Sequence, residues 1–342
     1  MPIYYESINR ETDVSVTKTL LHEVIPLTGT IVSGTYSDAN IKNYSHEMFQ
    51  SVYDYPYLSS SANHILDLSF GYDESSALSS SSGATQRSKK INIYNQMSQV
   101  LLGYTGSNNQ VRKFESDLIL DGVGSMLDVV FINLSRLVTK DEVKKGSVTL
   151  TVGTGSWASP FSGTKTFTDT SAASAGNTST TLSGEYGLLS SSADGVGGIV
   201  FYQAGIAVLT SSVFSGVTDF FSSSAGTSSF AETLVSSSIT ASCDAFRHRL
   251  QNLQFNNTTE INSNIYFCRM AHNKFNYSSN PTYLSSSKIY VKNNRIDNPP
   301  ITYVTTIGLY NERNELLAVA KLSEPLRKDP SNELTLRVRL DF

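Results

Sequence analysis

Five histidines, two cysteines and a scatter of carboxylates are the residues with which this chain could do chemistry. His22, His46, His64, His248 and His272 lie far apart. None has the His-x-x-x-His spacing that puts two imidazoles on one helical face for zinc. Cys243 would act as a nucleophile only beside a base; as a small apolar residue on a helix it needs no such partner. Cys268 falls in a different predicted element. Both thiols read as reduced and buried, in a chain made in a cytosol. Serine nucleophiles cannot be singled out in so serine-rich a chain. Asp141 and Glu142 are flanked by Lys140, Lys144 and Lys145, the pattern of a solvated turn. A glycosidase pair drawn from distant strands would leave no local trace. No phosphate-binding Gly-x-x-x-x-Gly-Lys-Ser/Thr and no Gly-x-Ser-x-Gly elbow is present. Gly122-Val123-Gly124 and Gly195-Val196-Gly197-Gly198 precede no predicted helix and read as loop glycines. The expectation is a protein that is not an enzyme, with no catalytic, cofactor-binding or metal-binding residue and no cofactor.

The cations form short clusters: Arg87, Lys89 and Lys90; Arg247, His248 and Arg249; Arg337 and Arg339. The chain as a whole carries a net charge of −4. General attraction to nucleic acid or to an anionic membrane is therefore not expected. Arg337 and Arg339 alternate on one face of a strand. That face is either solvated or docks on acidic surface of a neighbouring subunit. No apolar run reaches the 18 residues of a membrane span. Met1-Pro2-Ile3-Tyr4-Tyr5-Glu6 lacks the basic and apolar regions of a signal peptide. Matches to the glycosylation pattern, such as Asn257-Thr258-Thr259, then follow from composition alone.

The elements that must position these residues are mostly strands. Branched and aromatic residues at 128–134 and 147–152, alternation at 164–170, and the pair 198–202 and 206–209 around Gln203-Ala204-Gly205 predict antiparallel strands and a tight hairpin. Strands at 253–260 and 264–270 follow. A further hairpin is predicted from 301–310 and 316–322. The last run, Glu333 to Phe342, alternates strictly: Leu334, Leu336, Val338, Leu340 and Phe342 share one face. Two helices are predicted. One covers 91–103, with Ile93, Met97, Val100 and Leu101 inward and Gly103 ending it. The other covers 228–251, with Phe230, Leu234, Ile239 and Phe246 inward. Residues 72–90 read as a mobile polar linker. The fold class is mainly β with a minor α component, an antiparallel sandwich or jelly-roll-like body. Three regions follow: an extended Tyr-rich arm over 1–60 with a strand at 31–36, a β-rich body with one helix over 61–225, and a helix with an antiparallel sheet over 226–342. Removing residues 1–57 is expected to leave a folded body that fails to assemble.

Charged residues make up 16% of the chain, against about a quarter in ordinary domains, while 18 Tyr and 16 Phe argue for order. Low charge with many tyrosines suits extensive subunit contacts. Several segments have a familiar texture. They are residues 25–36, opening Ile25-Pro26-Leu27-Thr28-Gly29-Thr30; residues 48–64, with Tyr53-Asp54-Tyr55-Pro56-Tyr57; Lys90-Ile91-Asn92-Ile93-Tyr94-Asn95-Gln96-Met97; Asn280-Pro281-Thr282-Tyr283; and Thr305-Thr306-Ile307-Gly308-Leu309-Tyr310 through Glu324-Pro325-Leu326. Over nearly its whole length the chain resembles a family of virion structural proteins from T4-like tailed phages of marine cyanobacteria. The hairpin around Ile307-Gly308-Leu309-Tyr310 and Leu316-Leu317-Ala318-Val319-Ala320 is also similar to one in tail-fibre and baseplate-attachment proteins. The family resemblance implies a non-enzymatic part of the particle and carries no position within it; the hairpin similarity favours the tail, baseplate, fibre-attachment or neck region over the head. Its partners would be itself and other virion structural proteins, with a host surface receptor if it sits at the tail tip. It would be made in the host cytoplasm and reside in the virion. Candidate contact residues are Tyr53, Tyr55, Tyr57, Tyr303, Leu309, Tyr310, Arg337 and Arg339. Alternatives are a receptor- or glycan-binding module with an aromatic pocket near Trp157 and Tyr186, a capsid-associated decoration protein, and a polysaccharide hydrolase.

Overall fold

The computed structural model describes residues 5–26, 38–105, 110–223, 226–278, 284–285, 288–289 and 295–342. The protein is mainly β and antiparallel, as the sequence predicts, with 46% strand, 17% helix and four helices. The chain divides into two compact units, residues 21–259 and residues 1–20 with 260–342. The boundaries expected near 60 and 225 both fall inside the larger unit.

The larger unit contains a run of ten antiparallel strands. In spatial order they are Ile41–Asn43, Gln50–Tyr53, His64–Tyr72, Asp128–Leu134, Ile206–Thr210, Gly195–Phe201, Gly184–Ser191, Thr164–Thr168, Thr149–Gly153 and the start of Leu250–Met270. Val129, Val130, Phe131 and Ile132 are buried in succession. Successive side chains point to opposite faces, so both faces of that central strand are covered. Helices α1 (Arg87–Leu101) and α4 (Ile239–Arg249) pack on the neighbouring strand His64–Tyr72. Gly71 marks the closest approach: a Cβ there would lie 2.9 Å from both the Lys90 carbonyl oxygen and the Tyr94 amide nitrogen. Phe70, Phe214, Phe220, Phe230 and Phe246 form an aromatic cluster, with ring centroids 4.9 to 6.2 Å apart. Each buried ring contributes about 2–3 kcal/mol through lost water contact.

The N-terminal tyrosine-rich region is where the structure departs most from the expected arm. Ile41–Asn43 and Gln50–Tyr53 are the outermost strands of the sheet, with Ile41, Gln50, Ser51 and Val52 buried. Strands of three and four residues are too short to show a period; they form because His64–Tyr72 offers a template. The strand expected at 31–36 lies outside the described residues. The polar linker is also tied down. Ser76 donates to Asp128 at 2.5 Å, the Arg87 guanidinium donates to Ser79 at 3.0 Å, and the Thr85 amide donates to the Val235 carbonyl at 2.8 Å.

Helix α1 begins at Arg87, earlier than expected, and Gly103 follows its end with φ +83°. Its inward face is Lys90, Ile93, Tyr94, Ser98 and Leu101, with Met97 packed beside it. Val100, expected inward, is 64% exposed. The single helix expected over 228–251 is two: α3 (Phe230–Ser236) and α4, separated by Ser237 and Ser238 in extended conformation. The serines that dilute the apolar stripe cap the two helices. Ser229 forms a capping box with Glu232, and the Ser238 hydroxyl accepts from the Ala241 amide. A turn of helix, α2 (Arg136–Thr139), precedes the turn around Asp141. Gly195-Val196-Gly197-Gly198 lies in a strand and not in a loop.

The smaller unit holds residues 260–270 of Leu250–Met270 and the C-terminal strand Leu334–Asp341 paired to them. It also holds the hairpin Thr302–Tyr310 with Leu316–Lys328. The alternation predicted for the last strand is present: Thr335, Arg337, Arg339 and Asp341 face solvent and Val338 is buried. Phe342, predicted to share the inner face, is exposed.

Candidate assembly surface

The hairpin of the smaller unit is tied by side-chain hydrogen bonds at both ends. Its turn is closed by Asn311, whose side-chain oxygen accepts from the Arg313 and Glu315 amides at 2.9 Å each. The Asn311 amide also donates to the Glu315 carboxylate at 2.6 Å, and Asn314 takes φ +61°. At the far end Lys328 is buried, and its ammonium donates to the Asn276 side-chain oxygen at 2.9 Å, the Asp329 carbonyl at 2.9 Å and the His272 carbonyl at 3.2 Å. Between these anchors the two strands pair with each other and, among the described residues, with no other strand. Tyr303 is 64% exposed, Leu317 67% and Val319 52%; Tyr310 and Leu316 are also exposed. A hairpin so anchored, with exposed apolar side chains, is a surface that another chain can cover.

The expected contact residues fall into two groups. Tyr53, Tyr55 and Tyr57 belong to the larger unit. Tyr55 and Tyr57 are exposed, and Tyr53 packs between Tyr57 and His64 at 6.2 and 5.5 Å. Tyr303, Leu309, Tyr310, Arg337 and Arg339 belong to the smaller unit. Leu309 is buried and offers no surface. Arg339 is engaged within the chain, donating to Asp341 at 2.6 Å and to the Ser263 hydroxyl at 3.0 Å. Arg337 is exposed and makes no ion pair among the described residues. The sequence reading missed Leu316, Leu317 and Val319. The signal was the unbroken run Leu316-Leu317-Ala318-Val319-Ala320 in a hairpin with only one partner strand.

The same unit contains a cavity of about 790 Å³, lined by Tyr5, Phe267, Cys268, Phe275, Leu309 and Tyr310 among others. Tyr5 meets Tyr310 edge-on at 5.0 Å. Burial pushes the Cys268 thiol up, which keeps it protonated and unreactive at neutral pH. Cys243 in the larger unit is also a free thiol, fully buried, donating to the Leu68 carbonyl at 3.3 Å.

Two of the basic clusters each send one member into the larger unit's interior. The Lys90 ammonium is buried and donates to the carbonyls of Thr85, Leu234 and Ser237 at 2.9, 2.5 and 2.8 Å. Burial pulls its pKa down to about 8, so it remains largely charged at neutral pH. Arg249 is likewise buried, and its guanidinium donates to the carbonyls of Gly153, Gly155, Asp219 and Phe220 at 2.6 to 3.3 Å. His248 packs against the Trp157 ring in a tilted arrangement at 4.2 Å and contacts its carbonyl. Of the two aromatics expected to line a pocket, Tyr186 is buried against Phe201, and Trp157 is half-buried and packed by His248 and Phe221.

Glu115, Asp117 and Asp121 bring one carboxylate oxygen each within 4.8 Å of one another, the arrangement a cation would need. Each already closes a turn. Glu115 accepts from the Asp121 and Gly122 amides, Asp117 from Ile119 and Asp121 from Val123. Burial pushes the Glu115 carboxyl up. No family model matches the chain, and comparison with characterised proteins and with solved structures returns no match.

Proposed function

We propose that the chain is a non-enzymatic structural component of a tailed-phage virion, in the tail, baseplate, fibre-attachment or neck region, working through subunit contacts. The observation that carries this reading is the hairpin of the smaller unit, whose exposed Tyr303, Leu317 and Val319 lie on strands that, among the described residues, pair only with each other. Solvent exposure of such a surface is a hazard that a neighbouring subunit removes. Aromatic anchors and edge pairing would supply the affinity. The resemblance to phage structural proteins supplies the setting. The glycan-binding alternative has less support, because Tyr186, one of its two expected lining aromatics, is buried.

The test is gold-labelled antibody imaging of intact and disrupted particles, with mass spectrometry of the purified particle. Label at the tail, baseplate or neck is the expected result. Absence from the particle by both methods overturns the reading.

A further inference from the structure

The C-terminal strand Leu334–Asp341 pairs on one side with residues 263–270 and, among the described residues, with nothing on the other. The direction of its open edge follows from one pair. Asn262 and Phe342 exchange both backbone hydrogen bonds, at 3.1 and 2.9 Å. In an antiparallel ladder such pairs recur every second residue. The even-numbered residues of the strand therefore direct their N–H and C=O groups to the inner partner. Thr335, Arg337, Arg339 and Asp341 direct theirs outward, and their side chains are exposed as well.

We infer that this edge pairs with the same edge of a second copy of the chain, antiparallel about a two-fold axis at Thr335. The inference rests on the subunit-contact reading and names the partner. Charge selects the register. Two identical edges related by a two-fold normal to the sheet place residues equidistant from the axis opposite each other. An axis at Arg337 or at Arg339 sets each arginine on its own copy. An axis at Val338 sets Arg337 against Arg339. Like charges directly opposed are destabilising. An axis at Leu336 sets Glu333 against Arg339 and one at Leu340 sets Asp341 against Arg339, but that guanidinium is already held by Asp341 and Ser263 of its own copy. An axis at Thr335 sets Glu333 of each copy against Arg337 of the other, and Leu334 against Leu336. Arg337 is the arginine of this strand with no ion pair among the described residues. Glu333 is exposed, and its side chain pairs with His272, at 3.3 Å. The register also makes Thr335 its own partner, with a Cα separation of about 5.5 Å.

That separation is one a disulfide can span. Thr335→Cys in the full chain should give a covalent dimer under mild oxidation, seen on a non-reducing gel and absent from the wild type. By sedimentation velocity the wild type should be dimeric. Glu333→Arg and Arg337→Glu should each raise the dimer dissociation constant about tenfold, and the double variant should restore it. All three positions are exposed, and circular dichroism checks that the variants fold. A monomeric wild type overturns the inference. So does a dimer that neither cross-links through Thr335→Cys nor recovers in the double charge swap. Particle imaging keeps the two readings apart. A protein found in particles but failing these tests loses only the edge pairing, whereas a paired dimer absent from particles removes the virion reading and leaves the pairing.

Discussion

The two units use strands of similar composition to opposite ends. In the larger unit the strand Asp128–Leu134 is flanked by strands on both sides and covered on both faces, so four consecutive residues, Val129 to Ile132, are buried. In the smaller unit Leu316–Lys328 has one strand partner among the described residues, and Leu316, Leu317 and Val319 remain in solvent. Apolar content does not set burial. The number of layers that arrive to cover a strand sets it. The cations tell the same story from the other side. Lys90 and Arg249 are buried with backbone carbonyls gathered around their charged ends, while Arg337 stays outside.

The most drastic way to break this contrast is to remove residues 1–57. The strands Ile41–Asn43 and Gln50–Tyr53 go with them, baring the edge of His64–Tyr72. The expected outcome, opposite to that for a detachable arm, is an unfolded or precipitating protein. A soluble product with the wild-type circular dichroism spectrum would refute it. Next in size is Arg249→Met. It leaves up to four carbonyls without their donor and should lower stability by about 4 kcal/mol in urea unfolding. A loss below about 1 kcal/mol would mean that water replaces the guanidinium. The hairpin should respond the other way. Leu317→Ser combined with Val319→Ser should leave the urea midpoint within about 0.5 kcal/mol of wild type, yet deplete the protein from purified particles by mass spectrometry. A large stability loss would show that these side chains already belong to a core.

The smallest effect sharpens the electrostatics of the larger unit. The hydrogen bond that His64 Nε2 donates to the Asp67 carboxylate, at 2.8 Å, raises the His64 pKa against a partial desolvation that lowers it. A raised histidine pKa stabilises the fold fully below the unfolded value of about 6.5 and loses that contribution as pH climbs through the folded value. The pair is partly exposed, so stability should fall by less than about 1 kcal/mol between pH 6 and 8. Asp67→Asn should flatten that slope and return the His64 titration, followed by NMR, toward 6.5. An unchanged slope would assign the dependence elsewhere.

The long-period features of the fold were legible. Alternation from Glu333 to Phe342, the branched run at Asp128–Leu134 and the Gly205 hairpin all carry their geometry in local residue order, and Gly205 takes φ +68°. What was not legible depends on distant partners. Gln50–Tyr53 is a strand only because His64–Tyr72 lies beside it. Val100 faces out because α1 meets the sheet through Gly71, on the side of Lys90 and Tyr94, and a buried lysine is invisible to a hydrophobic pattern. At the candidate surface, Tyr303 and Tyr310 were readable as exposed aromatics. Leu309 and Arg339 were not, because their in-chain contacts are set by the fold.

The order of strands in the larger unit also governs how the protein is made. After Asp128–Leu134 the chain does not lay down its next sheet neighbour. It goes to Thr149–Gly153, and works back through Thr164–Thr168, Gly184–Ser191 and Gly195–Phe201 before Ile206–Thr210 reaches the waiting edge. During synthesis that apolar edge stands open while about 70 more residues are added, roughly 4–14 s at ordinary elongation rates. The nascent chain must be shielded over that interval, and the sheet can close only when its last inner strand leaves the ribosome.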